Sequence, residues 1–171
     1  LVFFRNAGRF QLYRKPIDGG NEALLWEGTG LRYPDSFSPD GRFLTYQDTR
    51  TIGMLPLTGN AKMFPWLETP SSKDEPHFSP DGRWIAYNSN ESGQMDVYVQ
   101  AFPGPGQKVR ISTDGGGAPR WRADGRELFY LKQDGMLMAA SVNAGTTFEA
   151  GIPKPLFQTP IADVQLGLDQ Y

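Results

Sequence analysis

An all-β fold, a β-propeller of four-stranded antiparallel blades present as an incomplete arc of about four, is predicted by three observations. The undecapeptide "SFSPDGRFLTY" (36–46) returns as "HFSPDGRWIAY" (77–87) and, more loosely, as "RWRADGRELFY" (120–130), with the leading aromatics Phe37, Phe78 and Trp121 standing 41 and then 43 residues apart. Self-similarity at a period of about 40–45 residues marks a stacked architecture whose units bury their faces against one another. Short runs rich in aromatic and branched residues alternate with turn residues at spacings of about 8–12, and no segment shows a helical period. Finally, the second run of each repeat is apolar on both faces, as a sheet wedged between two others must be.

Residues 1–30 read as a partial blade. "LVFF" aligns with a second strand, Leu1 falling 43 positions before Leu44, and "RFQLYRKP" and "ALLWEG" supply the outer two strands, so the first strand is missing. Residues 31–70, 71–113 and 114–160 each read as a blade, and 161–171 as a tail or the start of the next one. Within the third unit, "PHF" and "RWIAY" are joined by Ser79, Pro80, Asp81 and Gly82. Pro pre-sets φ, Asp bonds its own backbone and Gly takes the left-handed conformation, which together make a tight hairpin turn. "DVYVQAF", a "PGPG" turn and "KVRIS" complete four strands; "RFLTY", "TIGMLPL" and "KMFPWL" do so in the second unit, and "ELFYL", "LMAASV" and "KPLF" in the last. Leu44, Ile85 and Leu128 align, as do Tyr46, Tyr87 and Tyr130, while Glu127 stands where Phe43 and Trp84 stand, so the last blade is expected to be less covered there. The last turn, "RADG", loses the Pro but keeps Asp124 and Gly125.

The 171 residues carry a formal charge of −2, with 17 Lys and Arg scattered singly among 19 Asp and Glu. That distribution argues against nucleic acid, which demands a concentrated basic face. "LVFF" is too short to span a bilayer, so no direct membrane insertion is expected, and the absence of cysteine excludes disulfide and thiol chemistry. Opening without Met, the sequence reads as a piece of a longer chain. Two accounts of its closure fit: an arc cut from a larger propeller, whose uncovered end blades favour self-association, or a four-bladed ring closed by the tail as the missing first strand.

Candidate chemistry is sparse. His77, the one histidine, sits beside Phe78 on an innermost strand and reads as packed or channel-facing rather than catalytic. Asp40, Asp81 and Asp124 recur because the turn needs them, and blade spacing is expected to hold them tens of ångströms apart, beyond paired acid–base work. "STDGGG" (112–117) lacks the alternating oxygen ligands of a calcium loop, and "GPGQK" (104–108) lacks the spacing and the helix of a phosphate cradle. No G-x-S-x-G elbow is present. The expectation is therefore a non-catalytic chain with no cofactor or metal site.

The copies of "FSPDGR" followed by hydrophobic-x-Tyr, with "MDVYV", resemble the TolB-like, PD40-type (WD40-like) propeller repeats of bacteria. "YVQAFPGPGQKVRISTDGGGAPRWRADGRELFYL", with "FEAGIPKPLF", resembles more narrowly the propeller region of bacterial receptor-type serine/threonine kinases. The resemblance implies protein recognition or sensing in an envelope or signalling protein, and a periplasmic or otherwise extracytoplasmic location, TolB itself being a periplasmic partner of other envelope proteins. Kinase signatures are absent from these residues, so a kinase domain would lie outside them.

Propeller function sits on loops, because the strands only hold the ring together. The connections leaving each second strand, "QDTRT" and "NSNESGQ", and those entering each blade, "EGTGLRYPD", "ETPSSKDEP" and "STDGGGAP", are expected on one face. Arg32, Arg50, Lys73, Glu91, Gln94 and Asp114 are the candidate contacts for a protein or peptide partner. The alternative is the propeller gate of a larger enzyme, as in prolyl-oligopeptidase-like peptidases, with its catalytic domain elsewhere.

Overall fold

The turns and aromatic runs fold as their chemistry dictates. The computed structural model describes residues 1–161 apart from 7, 31, 60, 61 and 105, and among these residues the regular elements are all strands. The reading of 161–171 as a tail or next blade lies, but for Ile161, outside the described residues.

The first sheet has three strands, β1 (Val2–Asn6), β2 (Phe10–Arg14) and β3 (Ala23–Gly28). The second runs β4 (Tyr33–Phe37), β5 (Phe43–Asp48), β6 (Thr51–Pro56) and β7 (Phe64–Glu68). The third runs β8 (Lys73–Phe78), β9 (Trp84–Ser89), β10 (Asp96–Ala101) and β11 (Lys108–Arg110). All pairings are antiparallel. The fourth sheet departs from the four-stranded pattern: beside β12 (Gly117–Trp121), β13 (Glu127–Leu131) and a nine-residue β14 (Met136–Ala144), it holds both β15 (Phe148–Ala150) and β16 (Lys154–Gln158) against β14. The extra strand arises because β14 is long enough to pair "KPLF" with its first half and "FEA" with its second.

The sheets stack as blades. Strand β4 lies against β8, and β8 against β12. Alternation in β9 sends Ile85 and Tyr87 toward blade 2, with Ile52 and Met54, and Trp84 and Ala86 toward blade 4, with Leu128, Tyr130 and Phe148. Every residue of β9 is buried, whereas Glu127 and Phe129 on β13 are only half-buried, as the apolar pattern predicted. Exposed large apolar side chains gather on the outer blades, with Leu1, Phe4 and Leu24 on the first and Ile152, Leu156 and Phe157 on the last. No helix among the described residues is long and apolar enough to cross a membrane.

Each inner strand joins the second strand through the repeated turn. The Ser38 hydroxyl donates to Asp40 (2.6 Å) and accepts from the Phe43 amide (2.9 Å), while Asp40 accepts from the amide (3.0 Å) and Nε (2.6 Å) of Arg42. These bonds hold the Asp40 carboxyl down at about 2. Ser79, Asp81, Arg83 and Trp84 repeat the pattern. In the third copy Arg122 replaces the serine, yet the backbone bonds Arg122–Glu127 and Gly125–Arg122 (both 2.9 Å) survive.

The expectation that these aspartates stand tens of ångströms apart does not hold between neighbouring turns. Neighbouring turns touch: a Cβ on Gly82 would lie 3.4 Å from Pro39, and one on Gly125 would lie 3.8 Å from Pro80. Asp81 accordingly shares one cleft with Asp40 and another with Asp124. The inner turns sit where the blades converge, so their separation is far shorter than the blade period suggests.

Candidate functional site

The β5–β6 turn, the β9–β10 loop and the segments entering blades 2 and 3 emerge together, on the face opposite the repeated turns, because antiparallel strands alternate their ends. They enclose a cleft of about 760 Å³ lined by Arg32 and Tyr33, Asp48 and Thr49, Ser72, Lys73 and Asp74, and Asn90 and Met95. The loops are tied to one another. Lys73 N–H donates to the Thr49 carbonyl (3.1 Å), Ser72 N–H to Asn90 Oδ1 (2.9 Å), and Asn90 N–H to the Ser72 carbonyl (3.3 Å).

Arg32 is fixed by aromatic faces. Its guanidinium lies 4.9 Å from the Trp26 ring centre and 5.0 Å from that of Tyr46, and Nη1 donates to Met63 Sδ (3.4 Å). Stacking of this kind holds the planar fork while leaving its edges to other acceptors. Burial raises the Tyr46 phenol above its ordinary range, and the Arg32 charge opposes that rise.

Lys73, expected to offer its charge to a partner, is instead only 2% exposed. Its ammonium donates to the Thr69 hydroxyl and to the Ser71 carbonyl (2.8 Å), and burial lowers its pKa. A long side chain at the start of an inner strand folds back under its own loop, so Lys73 shapes the cleft. Arg32 and Lys73 are the two candidates brought together there. Arg50 is exposed in the β5–β6 turn, outside the cleft lining. Glu91 pairs with Lys108 (2.8 Å) and Asp114 with Lys132 (2.7 Å). Gln94 donates to the Thr113 carbonyl (3.5 Å), which joins its loop to that of Asp114.

Beneath the cleft lies a polar layer that the sequence did not announce. Glu75 stands in a bulge of β8 at φ 49°; its amide donates to Gln47 Oε1 of blade 2, and its carboxylate accepts from the wholly buried Asn88 (2.9 Å). Asp96, fully buried at the start of β10, accepts from Ser92 (2.6 Å), Ser112 (2.7 Å) and Arg110 (2.5 Å). It thereby anchors the β9–β10 loop to the segment entering blade 4. His77 faces Arg120, and burial first, then that charge, lowers its pKa to about 4. Among the described residues no group of three or more His, Cys, Asp or Glu is placed to hold a metal ion.

No family model matches the chain, and neither does any curated protein. Solved structures do. A putative TolB from Agrobacterium tumefaciens aligns with a TM-score of 0.66 at 23% identity, over 87% of this chain and 59% of its own. TolB from Acinetobacter baumannii aligns at 0.71 and 21% identity, over 94% of this chain and 41% of its own. A chain of the nidogen/laminin complex aligns at 0.62 and 12% identity, over 76% and 52%. At these identities the likeness shows the fold: the chain is a β-propeller arc of about four blades. The chain spans about 59% and 41% of the lengths of those two TolB chains.

Proposed function

We propose that this chain is a non-catalytic β-propeller module that recognises a protein or peptide, as the sensor or scaffold part of a bacterial envelope or signalling protein. The observation that carries the reading is the cleft on the loop face, where segments of two blades converge and Arg32 is stacked between the Trp26 and Tyr46 rings. The cleft presents Tyr33 and Met95 among polar side chains from both blades, so it offers a partner hydrogen-bonding groups in a fixed concave arrangement. The likeness to a chain of a protein–protein complex supports the same class of partner. Extracytoplasmic location and a kinase-bearing parent chain belong to this proposal and rest on the resemblance of the repeats.

The test is selection of displayed peptides against the chain, followed by affinity measurement with Arg32→Ala and Asp48→Ala variants. Peptides that lose at least ten-fold with either variant, while the thermal melt is unchanged, are expected. Enriched peptides indifferent to both substitutions would place recognition elsewhere.

A further inference from the structure

The repeat supplies an internal control on the opposite face. Two equivalent seams run between neighbouring turns there, one between blades 2 and 3 and one between blades 3 and 4. In the second, β14 continues to Ala144, and the Ala144 carbonyl accepts from Arg83 Nη2 (2.9 Å). The β14–β15 hairpin is also held to blade 3, since the Gln107 amide both donates to the Phe148 carbonyl and accepts from the Phe148 N–H, each at 2.8 Å. Phe148, 2% exposed, closes this seam against Trp84 and Trp121, and about 410 Å³ of open cleft remains.

In the first seam the corresponding strand, β10, stops at Ala101. Phe102 takes the place of Phe148, with ring centres 5.7 Å from Phe43 and 5.1 Å from Phe78, but among the described residues no extended strand follows it across the seam. Among the described residues the Arg42 side chain hydrogen-bonds only within its own turn, to Asp40, and no carbonyl of blade 3 caps it as Ala144 caps Arg83. The open cleft is correspondingly larger, about 720 Å³, with Phe43, Phe64, Phe102 and Pro103 as its apolar wall. Phe64 stays 40% exposed.

We propose that this turn-face cleft receives an extended segment of a partner protein, which lays a backbone carbonyl on Arg42 and an aromatic side chain against Phe43, Phe64 and Phe102. The occupant is the element that the neighbouring seam supplies from within the chain. Its neutrality follows from the charges at the rim, because Arg42 and Arg83 are already matched by Asp40 and Asp81. A phosphate or a nucleic acid would meet no surplus cation, whereas a peptide carbonyl needs only a donor. Ring-lined walls add edge-to-face contacts that an aliphatic side chain lacks.

The proposal stands apart from the loop-face reading, so Arg32→Ala, which tests that reading, is expected to leave the turn-face cleft unaffected. The probe is the capped tripeptide acetyl-Gly-Phe-Gly-amide, titrated against the whole chain and followed by NMR. Saturable shifts confined to Phe43, Phe64, Phe102 and their neighbours are expected, at least ten-fold tighter than for the Gly-Ala-Gly analogue. Arg42→Ala should weaken binding at least five-fold and Arg32→Ala not at all. Should Arg42→Ala fail to fold, Phe64→Ser, on an exposed outer strand, is to remove the Phe-over-Ala preference. The proposal is overturned by shifts that do not saturate, by equal binding of the alanine probe, by indifference to both Arg42→Ala and Phe64→Ser, or by phenylacetamide binding as tightly as the tripeptide, which would make the cleft a small-molecule pocket.

Discussion

The two faces of the arc are held in different ways. Within the repeated turns of the turn face the bonds are local: Ser38, Asp40, Arg42 and Phe43 satisfy one another within five residues, and Ser79 to Trp84 repeat them. On the loop face the partners are distant in sequence and differ from blade to blade. Gln47 reaches Glu75 across 28 positions, Ser72 reaches Asn90 across 18, and Asp96 collects Ser92, Arg110 and Ser112. A turn made of its own neighbours can be copied with each repeat, while a network drawing on several blades cannot be copied without changing them all. Each loop is therefore free to diverge on a constant scaffold, which is where recognition in such folds is placed.

The largest effect that would sharpen this contrast comes from the loop face. Asp96→Ala leaves the Arg110 guanidinium and two hydroxyls without their shared buried acceptor, and a cost of about 3–5 kcal/mol is expected in denaturant unfolding. Asp81→Ala, at a half-exposed turn with replaceable local bonds, should cost about 1 kcal/mol. Equal costs would break the distinction between a distributed network and a local turn.

His77 lies between the two faces, and acid tests it. Its pKa falls from 6.5 to about 4 in the fold, so the unfolded chain binds the extra proton between those values. Stability attributed to this group is complete above pH 6.5 and declines as pH falls toward 4, by up to about 3 kcal/mol. His77→Gln should remove that slope relative to the parent chain, leaving only the carboxylate contribution. Parallel pH profiles for the two proteins would show that the imidazole is not held neutral beside Arg120.

How far the sequence disclosed this structure follows the same division. The hairpin turn, the two apolar faces of β9 and the alternation of Tyr46, Tyr87 and Tyr130 were legible because each depends on neighbours in sequence or on a period. The common face of the varied loops was legible too, since antiparallel strands fix which ends coincide. The burial of Lys73, the hub at Asp96 and the Gln47–Glu75–Asn88 layer were not, because each needs a partner whose identity only the packed blades reveal. The distance between turn aspartates was misjudged for a related reason: the repeat period measures chain length, not how closely the inner ends of the blades converge. The fifth strand of the last sheet depended on the length of β14, and a continuous run of small and apolar residues does not mark where a strand stops.

On the turn face, the contact between successive turns can be separated from the turn itself. Gly41 and Gly82 have the same left-handed φ, +69° and +71°, but only Gly82 faces a proline of the preceding turn. Gly41→Val should therefore cost about 1–3 kcal/mol from backbone strain alone, and Gly82→Val more, because its branches extend from a Cβ already in contact with Pro39 at 3.4 Å and crowd that ring. An unfolding midpoint unmoved by Gly82→Val would sink the turn assignment, and equal costs at the two sites would remove the packing of one turn on the next.

The smallest effect expected concerns two residues at matching bulges of the inner strands, Glu75 at φ 49° and Ala118 at φ 53°. A left-handed conformation costs an ordinary residue about 1–2 kcal/mol, which glycine does not pay, although glycine also makes the unfolded chain more flexible. Ala118→Gly removes a methyl group and the strain, and a gain of about 0.5–1 kcal/mol is expected. Glu75→Gly relieves the same strain but leaves the buried Asn88 amide without its carboxylate, at a cost of about 1–3 kcal/mol, so its net change should be a loss. Opposite signs at equivalent backbone positions would show that blade 3 keeps a strained glutamate for its side chain. A gain at both would mean that the bulge, and not the bond to Asn88, sets the conformation there.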